Sequence, residues 1–256
     1  MVSLDNRYKE EDIKRLILEK EHIFGDIGRS ALIFEKGIMR TQKQTSNTIV
    51  DCMLFTEKKG IIGIEIKTER DSTRRLNKQL RDYSLVCDYV YVLCHDNHVA
   101  KVEEIIRRYQ HRHVGIIAYS DFMDEPVLGI YREASISPVK SINKAMDMIH
   151  KHSIVKMLGT FKDPNRRMAD EMAIKTYSTP GRSGGAGYYS LSGYSNNMPK
   201  ALLISTLIKK LGGPQEANRV LCAVFINNAV NPESNIKLRH FNHSLQEEVS
   251  DEGYNK

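Results

Sequence analysis

Apolar residues recur along the first 130 positions in two rhythms. Between 9 and 23, Ile13, Leu16, Ile17 and Ile23 are spaced by about one helical turn with charges between them, which predicts a helix with one buried face. Short apolar runs at 31–34 and 49–55 predict strands. Glu57, Lys58, Lys59 and Gly60 make a polar turn ending in glycine. Beyond it Ile62, Ile64 and Ile66 alternate with Gly63, Glu65 and Lys67, a period of two that predicts the second strand of a β-hairpin. Asp71, Ser72 and Thr73 then read as a helix start, and Leu76, Leu80, Tyr83 and Cys87 as its apolar stripe. Residues 89–94 predict a buried strand, 99–109 a helix with Val102, Ile105 and Ile106 inward, and 114–119 a further strand. Residues 126–131 predict a short strand at a sheet edge, because Pro126 cannot donate to a ladder.

The order α-β-β-β-α-β-α-β predicts an α/β fold, a mixed sheet flanked by helices. The rhythm changes after Pro138. Helices are predicted over 139–158, 163–177, 200–211 and 216–229. Residues 179–197, rich in Gly, Ser and Tyr and without periodicity, read as a mobile loop. The last dozen residues are polar and read as a frayed end. The expected division is a core over 1–135 and a mainly helical region over 136–256.

Composition narrows the class. At 41% hydrophobic and 27% charged residues, the 256-residue chain sits in the globular range. No apolar run approaches the ~20 residues a bilayer span needs, and the polar, acidic N-terminus is unlike a signal peptide. No membrane partner is therefore expected. Cys52, Cys87, Cys94 and Cys222 form no CxxC pair and read as core residues in a reducing, cytoplasmic setting. The net charge is +6, and its distribution is uneven. Residues 136–214 hold 12 Lys and Arg against 4 Asp and Glu, whereas residues 1–135 hold 22 of each sign. The basic stretch, with Arg166, Arg167, Lys200, Lys209 and Lys210, reads either as a grip on nucleic acid or as a solvated helical face. Tyr188, Tyr189 and Tyr194 of the Gly-rich loop could stack on bases. The apolar face of 200–211 must also pack on something, either the core or a second copy in a homo-oligomer.

The candidate chemistry lies in the hairpin. If the turn centres on Lys58, Asp51 faces Glu65 across the strands, with Cβ atoms ~5 Å apart. Two carboxylates so placed repel each other, and a hard divalent cation removes the conflict. Lys67 follows on the same face and can offer charge to a phosphoryl group. On a solvated edge the three residues would be unremarkable, but Asp51 is embedded in an otherwise apolar run, where an acid needs a reason. His95, His98, His111 and His113 sit at predicted element ends, where histidines are usually exposed, so they read as surface residues rather than a metal cluster. Residues 181–187 lack the GK[ST] ending of a phosphate loop.

The run 49–55, the turn, and Ile61-Ile62-Gly63-Ile64-Glu65-Ile66-Lys67 resemble the second and third strands of the PD-(D/E)XK nuclease superfamily. The α-β-β-β-α-β order is similar to its restriction-endonuclease-like core. The stretch 65–93 is more similar to a largely uncharacterised bacterial and phage branch, with an EIK strand followed by Gln and Tyr on the next helix. The resemblance covers roughly residues 5–120. It lacks the proline before the first acid, Val50 standing there. It implies Mg²⁺ or Mn²⁺ held by Asp51, Glu65 and the carbonyl of Ile66, with Lys67 as the catalytic lysine. Gln79 and Tyr83 match a QxxxY pattern set beside the active site, and they are neighbours on one helix face. An acid on the first helix is implied too. Glu10 fits best, with Glu11, Asp12 and Glu19 as rivals. Arg74 and Arg75, like Lys209 and Lys210, are candidate phosphate contacts, against the plainer reading of a solvated helix face. The expected activity is metal-dependent hydrolysis of phosphodiester bonds, with DNA the expected substrate. The alternative is a non-catalytic nucleic-acid or protein binder, such as an accessory or regulatory factor of a mobile element, that keeps the scaffold.

Overall fold

The computed structural model describes residues 8–38, 48–123, 125–161, 198–227 and 238–241. Helix α1 (Glu10–Glu19) leads into strands β1 (Ser30–Ile38), β2 (Thr48–Thr56) and β3 (Gly60–Lys67). Two crossover units follow: α2 (Leu76–Ser84) to β4 (Tyr89–His95), and α3 (Asp96–Arg108) to β5 (Gly115–Phe122). Strand β6 (Glu125–Arg132), helices α4 (Ile142–Met146), α5 (Lys151–Gly159), α6 (Lys200–Lys210) and α7 (Pro214–Ile226), and strand β7 (Leu238–Phe241) complete the described elements. The strands form one mixed sheet in the order β6-β5-β4-β3-β2-β1-β7. Strands β3, β4 and β5 run parallel and the other pairs antiparallel. This is the α/β architecture, with its α-β-β-β-α-β order, that the periodicities predict. β6 is an edge strand, as Pro126 requires.

Two apolar layers sandwich the sheet. On one face Ile13 and Ile17 of α1 pack with Leu32, Cys52, Leu54, Ile62, Ile64 and Leu93. On the other, Leu76, Leu80 and Tyr83 of α2 join Val102 and Ile106 of α3 against Ile33, Phe55, Ile61 and Val92. That second layer also takes in Leu203 and Leu207 of α6, and Leu221 and Phe225 of α7. The rings of Phe55 and Phe225 stack with centroids 4.0 Å apart. Asp88, just before β4, accepts from the Ile61 amide at 2.7 Å, from Lys140 at 2.5 Å and from Asn218 of α7 at 3.1 Å. The described helices beyond residue 136 therefore share the core of the sheet, although composition changes there. All four cysteines are buried.

Three local expectations change. The helix predicted over 139–158 is two helices. Met148 and Ile149 close tight i→i−3 bonds to Ala145 and Met146, and His150 is extended, so the chain turns before α5 begins. His111 and His113 are buried rather than exposed, because Asn77 and Ser84 reach them at 2.8 and 2.7 Å from the α2 segment. Burial lowers the proton affinity of both rings. The helix expected over 163–177 and the loop 179–197, with Arg166, Arg167, Tyr188, Tyr189 and Tyr194, lie outside the described residues, as do the last dozen residues.

Candidate active site

The β2–β3 hairpin closes with the expected register, from Thr56 opposite Gly60 to Cys52 opposite Ile64. Gly60 at φ 76° makes the turn in a region a side chain would strain. The ladder stops there, so Asp51 and Glu65 continue the register without pairing. Instead the Asp51 carboxylate turns across the fork and accepts the Ile66 amide at 2.8 Å. The carboxylate takes over the donor that a ladder carbonyl would otherwise satisfy.

Strand β1 has a matching irregularity. Phe34 pairs with Cys52 and Lys36 with Val50, but Glu35, at φ 56°, does not pair with Asp51. On either side of this point the alternation slips by one. Ala31, Ile33 and Ile38 belong to the α2 layer, as do Val50, Met53 and Phe55, whereas Leu32, Cys52 and Leu54 belong to the α1 layer. Asp51 sits where its strand changes faces, which is how an acid occupies an apolar run without burying its carboxylate in either layer.

Tyr83 closes the fork from above. Its hydroxyl donates to a Glu65 carboxylate oxygen, lies 3.0 Å from the Ile49 carbonyl, and accepts the Asp51 amide at 3.2 Å. The ring reaches this place because β3 carries Gly63. A Cβ there would meet the Cys87 sulfur at 2.7 Å and the Tyr83 ring at 3.4 Å. The other Glu65 oxygen binds the Lys67 ammonium. Glu65 is wholly buried and Lys67 nearly so. Asp51, Glu65, Lys67 and Tyr83 are thus one contiguous group at the ends of β2 and β3.

The group is electrostatically loaded. Burial, and then the negative charge of Glu65, push the Asp51 carboxyl up to about 7 from an ordinary 3.8, while the Ile66 amide and Lys67 pull the other way. The folded protein holds this proton between pH ~4 and ~7, where the unfolded chain has lost it. Stability of the metal-free protein should accordingly fall as pH rises through that window and stay reduced above it. Asp51→Asn, which keeps an acceptor for Ile66, should stabilise the protein above pH 7 by on the order of 2 kcal/mol, and should do nothing at pH 4. Thermal melts across pH, with chelator present, would show this. A variant no more stable than wild type at pH 8 would contradict it.

The remaining predicted residues are placed less tightly. Gln79, one turn before Tyr83, has a buried Oε1 with no hydrogen-bond partner among the described residues. Glu10 is at the start of α1, paired with Lys14 at 2.8 Å, and is close enough to Asp51 to raise its proton affinity. Glu11 and Asp12 share that first turn, and Glu19 ends the helix. Arg74 and Arg75 are exposed on the short turn before α2, where Ser72 accepts the Arg74 amide. Lys209 and Lys210 end α6, which packs on α4, α5 and α7 and so sits in the helical layer rather than at the fork. Among the described residues no group of three or more His, Cys, Asp and Glu side chains is arranged to hold a metal. The fork offers two carboxylates and a backbone carbonyl.

The periodicities do not reveal a cleft of about 300 Å³ beside the fork, lined by Tyr8, Glu10, Thr68, His95, Tyr119 and Asp121 among others. Its one signal in sequence is topological, because it lies at the C-terminal ends of the parallel strands β3, β4 and β5, where α/β sheets place their ligands. Among the described residues no helix is long and apolar enough to cross a membrane. A search of curated proteins finds no match. The model of one protein family, bacteriophage P4 protein cII, matches residues 3–182, which span the fork, the cleft and the whole sheet through β6. Over that length the chain belongs to the bacteriophage P4 protein cII family.

Proposed function

We propose that this phage-family protein is a Mg²⁺- or Mn²⁺-dependent nuclease of the PD-(D/E)XK kind that hydrolyses phosphodiester bonds, with DNA as its substrate. The observation that carries the reading is the convergence of Asp51, Glu65, Lys67 and the Tyr83 hydroxyl at the open end of the hairpin. The donor set suits a hard cation: two carboxylates and the Ile66 carbonyl, with an Asp51 carboxyl whose ionisation is opposed by Glu65 and would be favoured by a positive charge. When bound, such an ion activates a water and offsets charge on the leaving oxygen. The chain's own residues do the rest. Tyr83 fixes the Glu65 carboxylate, and Asp51 fixes the Ile66 peptide. Lys67, released from Glu65 as that carboxylate turns to the cation, directs its ammonium at the phosphoryl oxygens. Arg74 and Arg75 steady neighbouring phosphates from the rim.

One observation favours a second reading. Glu65 is fully buried with both oxygens already taken, an arrangement that is self-sufficient without a cation. A binder retaining the scaffold, as an accessory or regulatory factor, would look the same. Calorimetric titration with Mg²⁺ and Mn²⁺, alongside incubation with supercoiled, linear, single-stranded and branched DNA, separates the two. Metal heat that vanishes in Asp51→Ala, together with chelator-sensitive cleavage, supports the nuclease. DNA binding without metal heat or cleavage supports the binder.

A further inference from the structure

The cleft beside the fork has a composition that phosphate would avoid. Its charged lining consists of Glu10, Glu69, Asp71 and Asp121 against Lys9 and Arg70. Its wall is aromatic. The Tyr119 ring meets His95 edge-on at 5.2 Å and Tyr8 edge-on at 6.5 Å. Tyr119 is buried, with its hydroxyl held by the backbone at Glu69, and the His95 ring accepts the Asn97 amide, so this wall is fixed before anything binds. The Asp71 carboxylate is occupied, accepting both the amide and the hydroxyl of Thr68. Asp121 is exposed at the end of β5, with no side-chain partner among the described residues. Thr68 lines the cleft and directly follows Lys67, and Glu10 lines it and acts on Asp51, so the cleft opens onto the fork.

A rigid aromatic wall attracts the flat face of a nucleobase. Carboxylates at its rim accept hydrogen bonds but repel phosphates, so they select for a donor edge. Cytosine, adenine and guanine each carry an exocyclic amine, whereas thymine carries none. A volume of about 300 Å³ holds one base and not a base pair. We propose that this cleft receives one unpaired, amine-bearing nucleobase from the strand whose phosphodiester lies at Lys67, with Asp121 accepting from the amine. The inference rests on the nuclease reading for the position of the scissile bond, but the base site itself does not. The substrate class is then a single strand, or a duplex with a base already unpaired, and the bond cut is adjacent to that base. A paired base cannot offer the same edge, since its partner strand holds it.

Equilibrium binding by the full-length protein in chelator tests the site apart from the chemistry. The probes are fluorescent oligodeoxycytidylate, oligodeoxyadenylate and oligothymidylate of equal length, and a fully paired duplex. The cytosine and adenine strands should bind about tenfold tighter than thymine and more tightly than the duplex. Asp121→Asn should erase the advantage over thymine, while Tyr8→Ala should weaken all three strands together by about tenfold. Circular dichroism and melting of each variant identify any loss due to misfolding, and Glu69→Gln serves as a second rim change if Asp121→Asn fails to fold. Equal affinity for cytosine and thymine strands in the wild type overturns the proposal, even if Mg²⁺-dependent cleavage is observed. A base preference that Asp121→Asn removes, with no cleavage in Mg²⁺ or Mn²⁺, keeps the base site and overturns the nuclease reading instead.

Discussion

Alanine at Asp51, Glu65 or Lys67 is expected to abolish metal-dependent DNA cleavage, each single change costing at least about a thousandfold in rate. The three act on one transition state, so a double or triple change should cost little more than one. Their effects on folding should differ. Asp51→Ala and Glu65→Ala each relieve a like-charge contact, but Glu65→Ala also strands the buried Tyr83 hydroxyl and leaves the nearly buried Lys67 ammonium without its counter-ion. Glu65→Gln is therefore the cleaner control, since it keeps an acceptor for Tyr83. Rates measured on one DNA substrate, with thermal melts of each variant, would decide the matter. A Lys67→Ala protein that cleaves at the wild-type rate rules out the proposed chemistry.

Truncation after Ser137 is expected to destroy the fold. Helices α6 and α7 supply Leu203, Leu207, Leu221 and Phe225 to the layer that covers Ile33, Phe55 and Ile61, and Asn218 helps neutralise Asp88 at the base of β4. Removing them uncovers several core side chains at about 1.5–3 kcal/mol each, which together rival or exceed the roughly 5–15 kcal/mol by which most domains are stable. The shortened chain should aggregate, or show helical circular dichroism without a cooperative melt. A soluble, cooperatively melting fragment would show instead that these helices form an appendage, and its salt-dependent DNA binding could then be compared with that of the whole protein. In contrast, a double Lys209→Ala, Lys210→Ala change leaves the packed face alone. It should make the slope of log affinity against log salt shallower by at most about 0.9 for each phosphate those ammonium groups neutralise.

Much of this molecule was legible in sequence because its elements are locally consistent. The Gly60 turn and the Ile62-Ile64-Ile66 alternation specify the hairpin register on their own, and with it the closeness of Asp51 to Glu65. The stripes of α1, α2 and α3 identify their buried faces. What was not legible depends on partners distant in sequence. A period of two cannot show that two strands change faces together at Glu35 and Asp51, since each reads as an ordinary charged residue. Nothing near His111 or His113 announces that Asn77 and Ser84 will make burial tolerable. The orientation of Tyr83 depends on the absence of a side chain at Gly63, a close approach across two elements. The cleft is made by the ends of three strands and the start of α1, so no single stretch contains its pattern.

The Tyr83 hydroxyl has a consequence for how the chain can drift. It stands in for a missing rung of the ladder, serving the Ile49 carbonyl and the Asp51 amide as well as Glu65. Phenylalanine has the same shape but would leave those three groups unanswered in a buried place, so the customary exchange between the two rings is closed at this position whether or not the protein cuts anything. Selection for folding alone would hold the tyrosine, and its persistence among relatives would be a record of carpentry rather than of catalysis. Lys67 is the more telling witness. Glu65 and Tyr83 depend on each other, but an ammonium buried beside them costs desolvation, and a lineage with no use for it at a phosphate would be free to replace it.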